Sequence, residues 1–309
     1  MAFNRSLSRE FVNKLNQLHD TPGSWWRTLV DSDDVFLAIR NDSINAYAKG
    51  MSIGRIGWDG KSVTLMVHEE YLSLPSEVQY LNLLKPGTQS TRPVAHDEKG
   101  YIANLGRIKN RAGRFAGGER KGTNKIACRV LTILDMEAAY TEAAENEPDP
   151  EKRQEVESDS GRLDLVVISA NQRLLTFEAK LFSNGELRAK ATPKVCVQLQ
   201  AYHGTISARQ HELVQAYSSL VGIFANLRGS FFEKRVRHPN WAAALKDPTS
   251  LTIDPIPRLL IFEYDGLQEP SNKTTMARIQ DHVGIPGFDL KKHVKTLGKA
   301  TSVNETHLI

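Results

Sequence analysis

The sequence predicts an α/β protein that carries an antiparallel, β-rich module at its N-terminal end. Between residues 34 and 68, short apolar runs alternate with turn-forming residues at regular intervals, which is typical of a β-meander. Between residues 162 and 180, two further apolar runs flank a short polar break and predict a β-hairpin. Residues 208–227 instead repeat apolar side chains at helical spacing, so we expect helices as well as strands.

The composition excludes several classes of protein. The chain has 309 residues, of which 40% are hydrophobic and 25% charged, as is ordinary for a globular protein. Its apolar runs are much shorter than the roughly 20 residues of a membrane-spanning helix, and its start shows no signal-peptide pattern. Cys128 and Cys196 lie in unrelated segments, and no Cys/His cluster has the spacing of a zinc site. We therefore expect a reduced, cytoplasmic protein without a membrane partner.

The N-terminal module is expected to be a domain of its own. We predict that this β-rich module spans residues 1–90 and that a second domain spans residues 91–309. The polar segment 88–100 is the best candidate for the linker between them. No residue of the module belongs to a catalytic constellation, so a role in specificity, in dimerisation or as a covering layer stays open.

Basic residues cluster in one segment of the chain. The net charge of +4 permits a nucleic-acid partner without demanding one, because binding depends on where the charges lie. Residues 107–129 carry eight basic residues, one acidic residue and several glycines, and we predict a glycine-rich loop there. Such a loop can bring Arg107, Lys109, Arg111 and Arg114 to DNA phosphates. The alternative is a basic loop that contacts only solvent.

The predicted hairpin brings three charged side chains to one face of a sheet. A three-residue loop at 170–172, like any odd loop centred on Asn171, places Asp164 directly opposite Glu178. An even loop length would shift the register and separate them. Lys180 follows Glu178 by two residues and therefore points to the same face.

This arrangement suits metal-assisted hydrolysis of phosphodiesters. Two carboxylates about 5 Å apart repel each other unless a proton or a cation lies between them. Mg²⁺ typically binds one or two carboxylates together with phosphate oxygens and water. A lysine beside such an ion adds positive charge where a phosphate would develop negative charge.

Asp164 followed by Glu178-Ala179-Lys180 resembles the signature of the PD-(D/E)XK nuclease superfamily, with Leu163 where many members have proline. The resemblance implies a restriction-endonuclease-like fold, in which a mixed sheet is flanked by helices. It implies that Asp164, Glu178 and the carbonyl of Ala179 are metal ligands, and that Lys180 orients or polarises the attacking water. Mg²⁺ would be the cofactor, and we expect Mn²⁺ to replace it.

Gln198 and Tyr202 resemble the QxxxY element of the RecB-type subgroup of that superfamily. They fall in a predicted helix that Thr192 caps, that starts at Pro193 and that ends at Gly204. Their spacing of four residues puts both side chains on one face, where they could reach one phosphate together.

The resemblance also implies an acidic residue on a helix before the aspartate strand. Residues 129–145 contain strong helix formers and are predicted to be that helix. Glu137 is our first choice for this further metal ligand, and Asp135 is the second. Farther along the chain, Arg188 and Lys190 could hold the nucleic-acid backbone.

We expect a Mg²⁺-dependent nuclease that hydrolyses DNA, with endonuclease activity favoured over exonuclease activity. Its catalytic residues would be Asp164, Glu178, Lys180, Gln198 and Tyr202. Two alternatives remain: a nucleic-acid-binding or assembly module that keeps the fold without cleavage, and a nuclease that acts on RNA. By analogy of fold alone, the protein resembles components of restriction, antiviral defence or DNA repair. Whether it forms a homo-oligomer or binds a partner protein stays open.

Overall fold

The computed structural model describes residues 3–72, 80–84, 98–139, 162–189 and 191–309. The chain divides into two compact units. The N-terminal unit comprises Asn4–Arg129 and Ser219–Leu245, and the C-terminal unit comprises Met1–Phe3, Val130–Ser218 and Lys246–Ile309. The predicted domain boundary at residues 90 and 91 lies outside the described residues. Among the residues that are described, no helix combines the length and apolar character needed to cross a membrane.

The described residues form both helices and strands, with runs of successive strands over residues 36–68 and 162–181. The helices are α1 (Arg9–Asp20), α2 (Trp25–Val30), α3 (Glu69–Leu72), α4 (Glu98–Phe115), α5 (Gly118–Arg129), α6 (Lys194–Asn226, with one non-helical residue at Arg209), α7 (Ser230–Val236), α8 (Pro239–Lys246), α9 (Glu269–His282), α10 (Leu290–His293) and α11 (Glu305–Leu308). The strands are β1 (Phe36–Arg40), β2 (Ser43–Ala48), β3 (Met51–Trp58), β4 (Val63–His68), β5 (Tyr80–Asn82), β6 (Ile133–Ala139), β7 (Arg162–Ile168), β8 (Arg173–Leu181), β9 (Thr252–Ile253), β10 (Arg258–Phe262) and β11 (Val294–Thr296).

The strands of the N-terminal unit form a five-stranded antiparallel sheet in the order β1-β2-β3-β4-β5. Each strand pairs with its neighbour in sequence, so the predicted meander over residues 34–68 is confirmed. Gly50, in the turn between β2 and β3, has a φ of +86°, and a Cβ there would lie 2.6 Å from the carbonyl carbon of Arg120. Only glycine therefore fits where this turn packs on α5.

The basic segment forms the helices α4 and α5, so the prediction of a glycine-rich loop over residues 107–129 is wrong. Tyr101, Leu105, Ile108 and Ala112 are buried along α4 at spacings of three or four residues. This stripe gives the helix an apolar face to pack. Its burial outweighs the cost of the glycines within the helix, which is about 1 kcal/mol each relative to alanine.

Residues 133–139 form strand β6, so the prediction of a helix over residues 129–145 is wrong for this part. All residues of β6 except Glu137 are buried. The strand pairs with β7, which satisfies the backbone groups that face this neighbour. Pairing and burial therefore outweigh the intrinsic helix propensity of its alanine, leucine and methionine residues. The rest of the predicted helix, residues 140–145, lies outside the described residues.

The C-terminal unit contains a mixed six-stranded sheet in the order β11-β10-β8-β7-β6, with β9 paired to the start of β8. The strands β6, β7 and β8 are antiparallel neighbours, whereas β10 runs parallel to both β8 and β11. The predicted α/β class and the mixed sheet are thereby confirmed. β8, which carries the Glu-Ala-Lys sequence, lies inside the sheet and is buried along most of its length.

Helix α6 carries the predicted Gln-Tyr pair and packs beside this sheet. Its residues Val195 and Leu199 share one apolar core with Leu259 of β10. The helix starts at Lys194 and continues through Gly204, so the predicted end at that glycine is wrong. A single glycine weakens a helix by only about 1 kcal/mol, and buried residues continue on the α6 face beyond it.

Candidate active site

The turn between β7 and β8 sets the register of the site. The amide of Ser169 donates to the carbonyl of Arg173 at 3.0 Å, and the amide of Gln172 donates to the carbonyl of Ser169 at 3.1 Å. Gln172 closes the turn in the left-handed region, with φ at +60°, as is common in three-residue hairpin loops. The pairing along both strands, continued by one residue, places Asp164 opposite Glu178. The predicted loop length and register are therefore confirmed.

Asp164 lies in a crowded and negatively charged environment. Burial raises the pKa of Asp164 well above its ordinary value, and the neighbouring carboxylates of Glu178 and Glu137 raise the pKa further. The ammonium group of Lys180 and a 2.7 Å hydrogen bond from the amide of Ala179 to Oδ2 of Asp164 act in the opposite direction. Two further carboxylates and the ammonium group of Lys180 thus lie within electrostatic range of Asp164.

Glu178 is held by two side chains that approach different oxygens. Its Oε1 lies 2.7 Å from Nζ of Lys180, and its Oε2 lies 3.0 Å from the hydroxyl of Tyr202. The side chains of Glu178 and Lys180 are only 4% and 6% exposed. Because water is largely excluded, the interaction between these charges is stronger than that of a surface ion pair.

The sheet supplies an apolar neighbour on one side of this ion pair. Leu259 and Ile261 of β10 lie level with Glu178 and Lys180 in the parallel pairing of β8 with β10. Both aliphatic side chains are fully buried. These two side chains therefore limit the access of water to Glu178 and Lys180 from the side of β10.

The hydroxyl of Tyr202 has two acceptors and one proton. Its oxygen lies 2.7 Å from the carbonyl oxygen of Arg162 and 3.0 Å from Oε2 of Glu178. Burial, followed by the charges of Glu178 and Asp164, raises the pKa of Tyr202 well above its ordinary value, so the phenol stays protonated. One hydroxyl proton cannot serve both acceptors at full strength. Tyr202 nevertheless links the carboxylate of Glu178 to the backbone at the start of β7.

Glu137 reaches the site from a strand and not from the predicted helix. In the pairing of β6 with β7, Met136 lies opposite Leu165 and Ala138 lies opposite Leu163, so Glu137 is level with Asp164. Glu137 has a φ of +54°, an uncommon conformation for a residue with a side chain. The predicted residue is thus near Asp164, but the predicted element is wrong.

Asp135, the second choice for that role, belongs to the core. Its side chain is fully buried, and its two oxygens accept from the amide of Met136 at 2.8 Å and from the hydroxyl of Tyr217 at 3.3 Å. Among the carboxylates, Glu178 and Glu137 have the largest effects on the pKa of Asp164. The observed contacts favour Glu137 over Asp135 as the third carboxylate of the site.

Glu186 is a site residue that sequence reasoning missed. Its Oε2 lies 2.7 Å from Nζ of Lys180, so this lysine bridges Glu178 and Glu186. Glu186 lies in a 3-10 turn, Gly185–Leu187, whose start is capped by the side chain of Asn184. The only available signal was the expectation that a buried lysine needs several hydrogen-bond partners. The path of the chain after β8 decides which residue provides them.

The polar residues that follow β8 occupy different environments. Gln198 is partly buried, and its Oε1 has no hydrogen-bond partner within the described part of the chain. Arg188 is exposed, stacks over Phe182 at 5.0 Å and donates to the carbonyl of that residue at 2.7 Å. Arg278, another residue that sequence reasoning missed, donates to the carbonyl of Arg188 at 3.4 Å. Lys190 lies outside the described residues.

The four basic residues predicted to contact DNA belong to helix α4 of the N-terminal unit. Arg107 and Arg114 are exposed, and Arg111 is partly exposed. Lys109 is buried, and its Nζ lies 2.5 Å from Oδ1 of Asp34. The prediction that Lys109 contacts a phosphate is therefore wrong, because this lysine points to the packed side of the helix, where it neutralises an aspartate.

The site contains oxygen donors for a hard divalent cation, but these donors are not arranged as a complete set of metal ligands. Among the described residues, no three His, Cys, Asp or Glu side chains form a group ready to bind a metal. The ammonium group of Lys180 instead lies against Oε1 of Glu178. The donors still suit Mg²⁺ or Mn²⁺, since carboxylate oxygens are the ligands that these ions prefer. Besides burial, the charges of Glu178 and Glu137 raise the pKa of Asp164, and a cation would relieve this repulsion between carboxylates.

Comparison of this chain with known proteins identifies no relative. No protein-family model, curated protein or solved structure matches this chain. The resemblance to PD-(D/E)XK nucleases therefore depends on the residues of the hairpin and of helix α6.

Proposed function

We propose that this protein is a metal-dependent nuclease with a PD-(D/E)XK-like site in its C-terminal unit. The observation that supports this most directly is the meeting of Asp164, Glu178 and Lys180 across one hairpin, with Glu137 adjoining from β6. A lysine buried between carboxylates, on a mixed sheet packed against a helix, suits a site for phosphodiester hydrolysis. A restriction-endonuclease-like fold is part of this proposal.

Each residue of the proposed site has a distinct role. Asp164, Glu178 and the carbonyl of Ala179 would hold Mg²⁺, with Glu137 as a further ligand. A bound Mg²⁺ supplies Lewis-acid chemistry, which activates water and stabilises charge on the phosphate. Lys180 places positive charge beside that phosphate, where it acts mainly as negative charge develops in the transition state.

The residues of helix α6 and the loop after β8 support this chemistry. Tyr202 fixes one oxygen of Glu178 and so orients the carboxylate. Gln198, whose Oε1 has no hydrogen-bond partner within the described part of the chain, lies one helical turn earlier and can orient water or a substrate oxygen. Arg188, with Arg278 beside it, offers positive charge to the nucleic-acid backbone.

A cleavage assay tests the proposed function directly. Purified protein is incubated with supercoiled plasmid and with end-labelled linear DNA, each with Mg²⁺, Mn²⁺ or Ca²⁺ and with chelator. We expect nicking or linearisation of the plasmid with Mg²⁺ and Mn²⁺, and complete loss of cleavage with chelator. Release of end label without plasmid cleavage would identify an exonuclease. Binding of DNA without any cleavage would identify a non-cleaving module, and faster cleavage of single-stranded RNA would identify an RNA-directed enzyme.

The exposed arginines of helix α4 are proposed to contact phosphates. Arg107, Arg111 and Arg114 are spaced by four and three residues and therefore share one face of the helix. They are not among the proposed metal ligands or catalytic residues, so they would add affinity without taking part in the chemistry. Contacts to phosphates release bound counterions and make affinity depend on salt.

Replacing Arg107, Arg111 and Arg114 together by glutamine is expected to weaken DNA binding uniformly across sequences. Each lost contact should flatten the slope of log affinity against log salt concentration by about 0.9, or roughly 2.7 for three contacts on duplex DNA. Fluorescence anisotropy over a range of salt concentrations measures the slope. A matched control replaces Arg9, Lys14 and Lys61 by glutamine. These residues are exposed elsewhere in the same unit, and their replacement removes the same amount of charge. Equal slopes for both triple variants would contradict a specific role for α4.

A further inference from the structure

We propose that Glu186 is a positioning residue that keeps the ammonium group of Lys180 at the site when a cation occupies Glu178. The inference rests on the proposed nuclease function, and it concerns a residue outside the motif that suggested that function. The carboxylate of Glu186 contacts the lysine and would not itself contact the substrate. Its effect on the reaction would therefore act through Lys180.

The ammonium group of Lys180 lies equally close to the carboxylates of Glu178 and Glu186. Nζ lies 2.7 Å from Oε1 of Glu178 and 2.7 Å from Oε2 of Glu186. An ammonium group has three donors, so both contacts can form at once. The two carboxylates differ in burial, because the side chain of Glu178 is 4% exposed and that of Glu186 is 34% exposed. Glu186 thus holds the lysine from the more open side.

The two contacts would respond differently to a bound cation. A divalent cation on the oxygens of Glu178 would take over the negative charge that attracts Lys180, and it would also repel the ammonium group. The contact between Lys180 and Glu178 would therefore weaken, and a lysine side chain has many rotamers in which it could move away from Glu178. Glu186 contacts the same ammonium group from a different segment of the chain and can retain it. Lys180 would stay close enough to act on the attacking water or on the phosphate.

The chain after β8 holds Glu186 in place. The backbone of Glu186 is fixed within the turn, because its amide donates a hydrogen bond to Oδ1 of Asn184 at 2.8 Å. The next residue, Leu187, is fully buried in the apolar core beneath the sheet. Arg188 then donates to the carbonyl of Phe182 at 2.7 Å, which closes the segment back on the end of the strand. A carboxylate on this tethered turn returns to Lys180 at little cost in conformational entropy.

Single-turnover cleavage by Glu186→Gln tests the inference, with Glu212→Gln as the matched control. The amide keeps the size of the side chain and removes its charge. The rate at saturating substrate and Mg²⁺ should fall about tenfold or more, with the KM for DNA unchanged, because the loss acts through a group that stabilises the transition state. Glu186→Asp should restore part of the rate. Glu212, which pairs with Arg209 in the same unit and is similarly exposed, should tolerate the change.

Combining the change with Lys180→Ala distinguishes positioning from general structural damage. If Glu186 acts through Lys180, Glu186→Gln should cause no further loss in the Lys180→Ala background. An equal loss with and without Lys180 would overturn the inference. If the wild type cleaves DNA, a cleavage rate of Glu186→Gln equal to that of the wild type would also overturn the inference.

A second readout does not depend on cleavage. Reductive methylation with formaldehyde and borohydride, followed by mass spectrometry, measures how accessible Lys180 is in the presence of Ca²⁺. We expect Glu186→Gln to raise the labelling rate of Lys180 several-fold and Glu212→Gln to leave it unchanged. An unchanged labelling rate in Glu186→Gln would overturn the inference even if the wild type proved inactive. Inactivity of the wild type with a raised labelling rate would instead count against the nuclease function alone.

Discussion

Asp164→Asn and Glu178→Gln are each expected to reduce Mg²⁺-dependent DNA cleavage by roughly 10³-fold or more, the scale of losing a principal electrostatic element of an active site. Both changes keep the shape of the side chain and remove a negatively charged ligand. Binding of DNA should stay at least as strong as in the wild type, because removing negative charge reduces the repulsion of phosphates. Cleavage and anisotropy measured on the same preparations separate the two effects.

Thermal unfolding of the same variants shows whether they remain folded. The folded state holds the proton of Asp164 more tightly than the unfolded chain does, because burial and nearby carboxylates raise its pKa. In the metal-free wild type, protonated Asp164 therefore stabilises the folded state at low pH. This contribution to the free energy of unfolding is lost as the pH rises through the folded-state pKa. Asp164→Asn removes this loss, so its Tm should exceed that of the wild type at pH 8, with the difference shrinking toward acidic pH.

Asp254→Asn serves as the control for this stability effect. Asp254 is buried in the same unit but lies between two cations, 3.2 Å from Arg173 and 3.0 Å from Arg258. Its replacement should lower the free energy of unfolding by about 3 kcal/mol, because it leaves two arginines without their partner. Wild-type cleavage by Asp164→Asn or Glu178→Gln would refute the site. A fall in Tm for Asp164→Asn as large as for Asp254→Asn would refute the electrostatic account.

Lys180→Ala should lower the single-turnover rate at saturating substrate by roughly 10²-fold or more, with little change in DNA affinity. The expectation follows from its position, since the ammonium group lies on the face of the hairpin that carries both carboxylates. Its charge would act where the transition state is more negative than the ground state. Uniform weakening of binding with an unchanged rate would show that Lys180 only attracts DNA.

Tyr202→Phe is the comparison that separates chemistry from positioning. It removes one hydroxyl that contacts Glu178 and the Arg162 carbonyl, and it leaves the ring in the core. We expect a loss of about 1 kcal/mol, or roughly fivefold in rate, as for an ordinary hydrogen bond. A Tyr202→Phe rate as low as that of Lys180→Ala would contradict the division between a catalytic strand and a supporting helix.

Local sequence was sufficient for the hairpin and the meander. The polar break at residues 170–172 permits few turns, and the period of two in each strand then aligns Asp164 with Glu178. In the N-terminal sheet each strand pairs with its sequence neighbour, so turn residues at short intervals determine the order. Both features depend on contacts between residues that are close in the chain, where patterns of polarity and turn chemistry carry most of the information.

Helix propensity and basic composition gave wrong predictions of secondary structure in two segments, because contacts with residues far away in the sequence decide the structure there. Residues 133–139 contain good helix formers, but pairing with β7 makes them a strand and brings Glu137 beside Asp164. The segment around Lys109 has glycines and many charges, but its buried apolar stripe makes it a helix. The ion pair between Lys109 and Asp34 spans 75 positions of the chain, and no local pattern indicates it.

The sequence by itself determined which charged residues the hairpin presents together: two carboxylates opposite each other and a lysine two residues farther along the same face. The tertiary structure alone decided what surrounds them. Leu259 and Ile261 exclude water from one side, Tyr202 fixes one oxygen of Glu178, and Glu186 holds the lysine from a turn beyond the strand. The physical reason is that strand register follows from local turn geometry, whereas burial and ion pairing depend on segments that meet only when the sheet, helix α6 and the loop after β8 pack together.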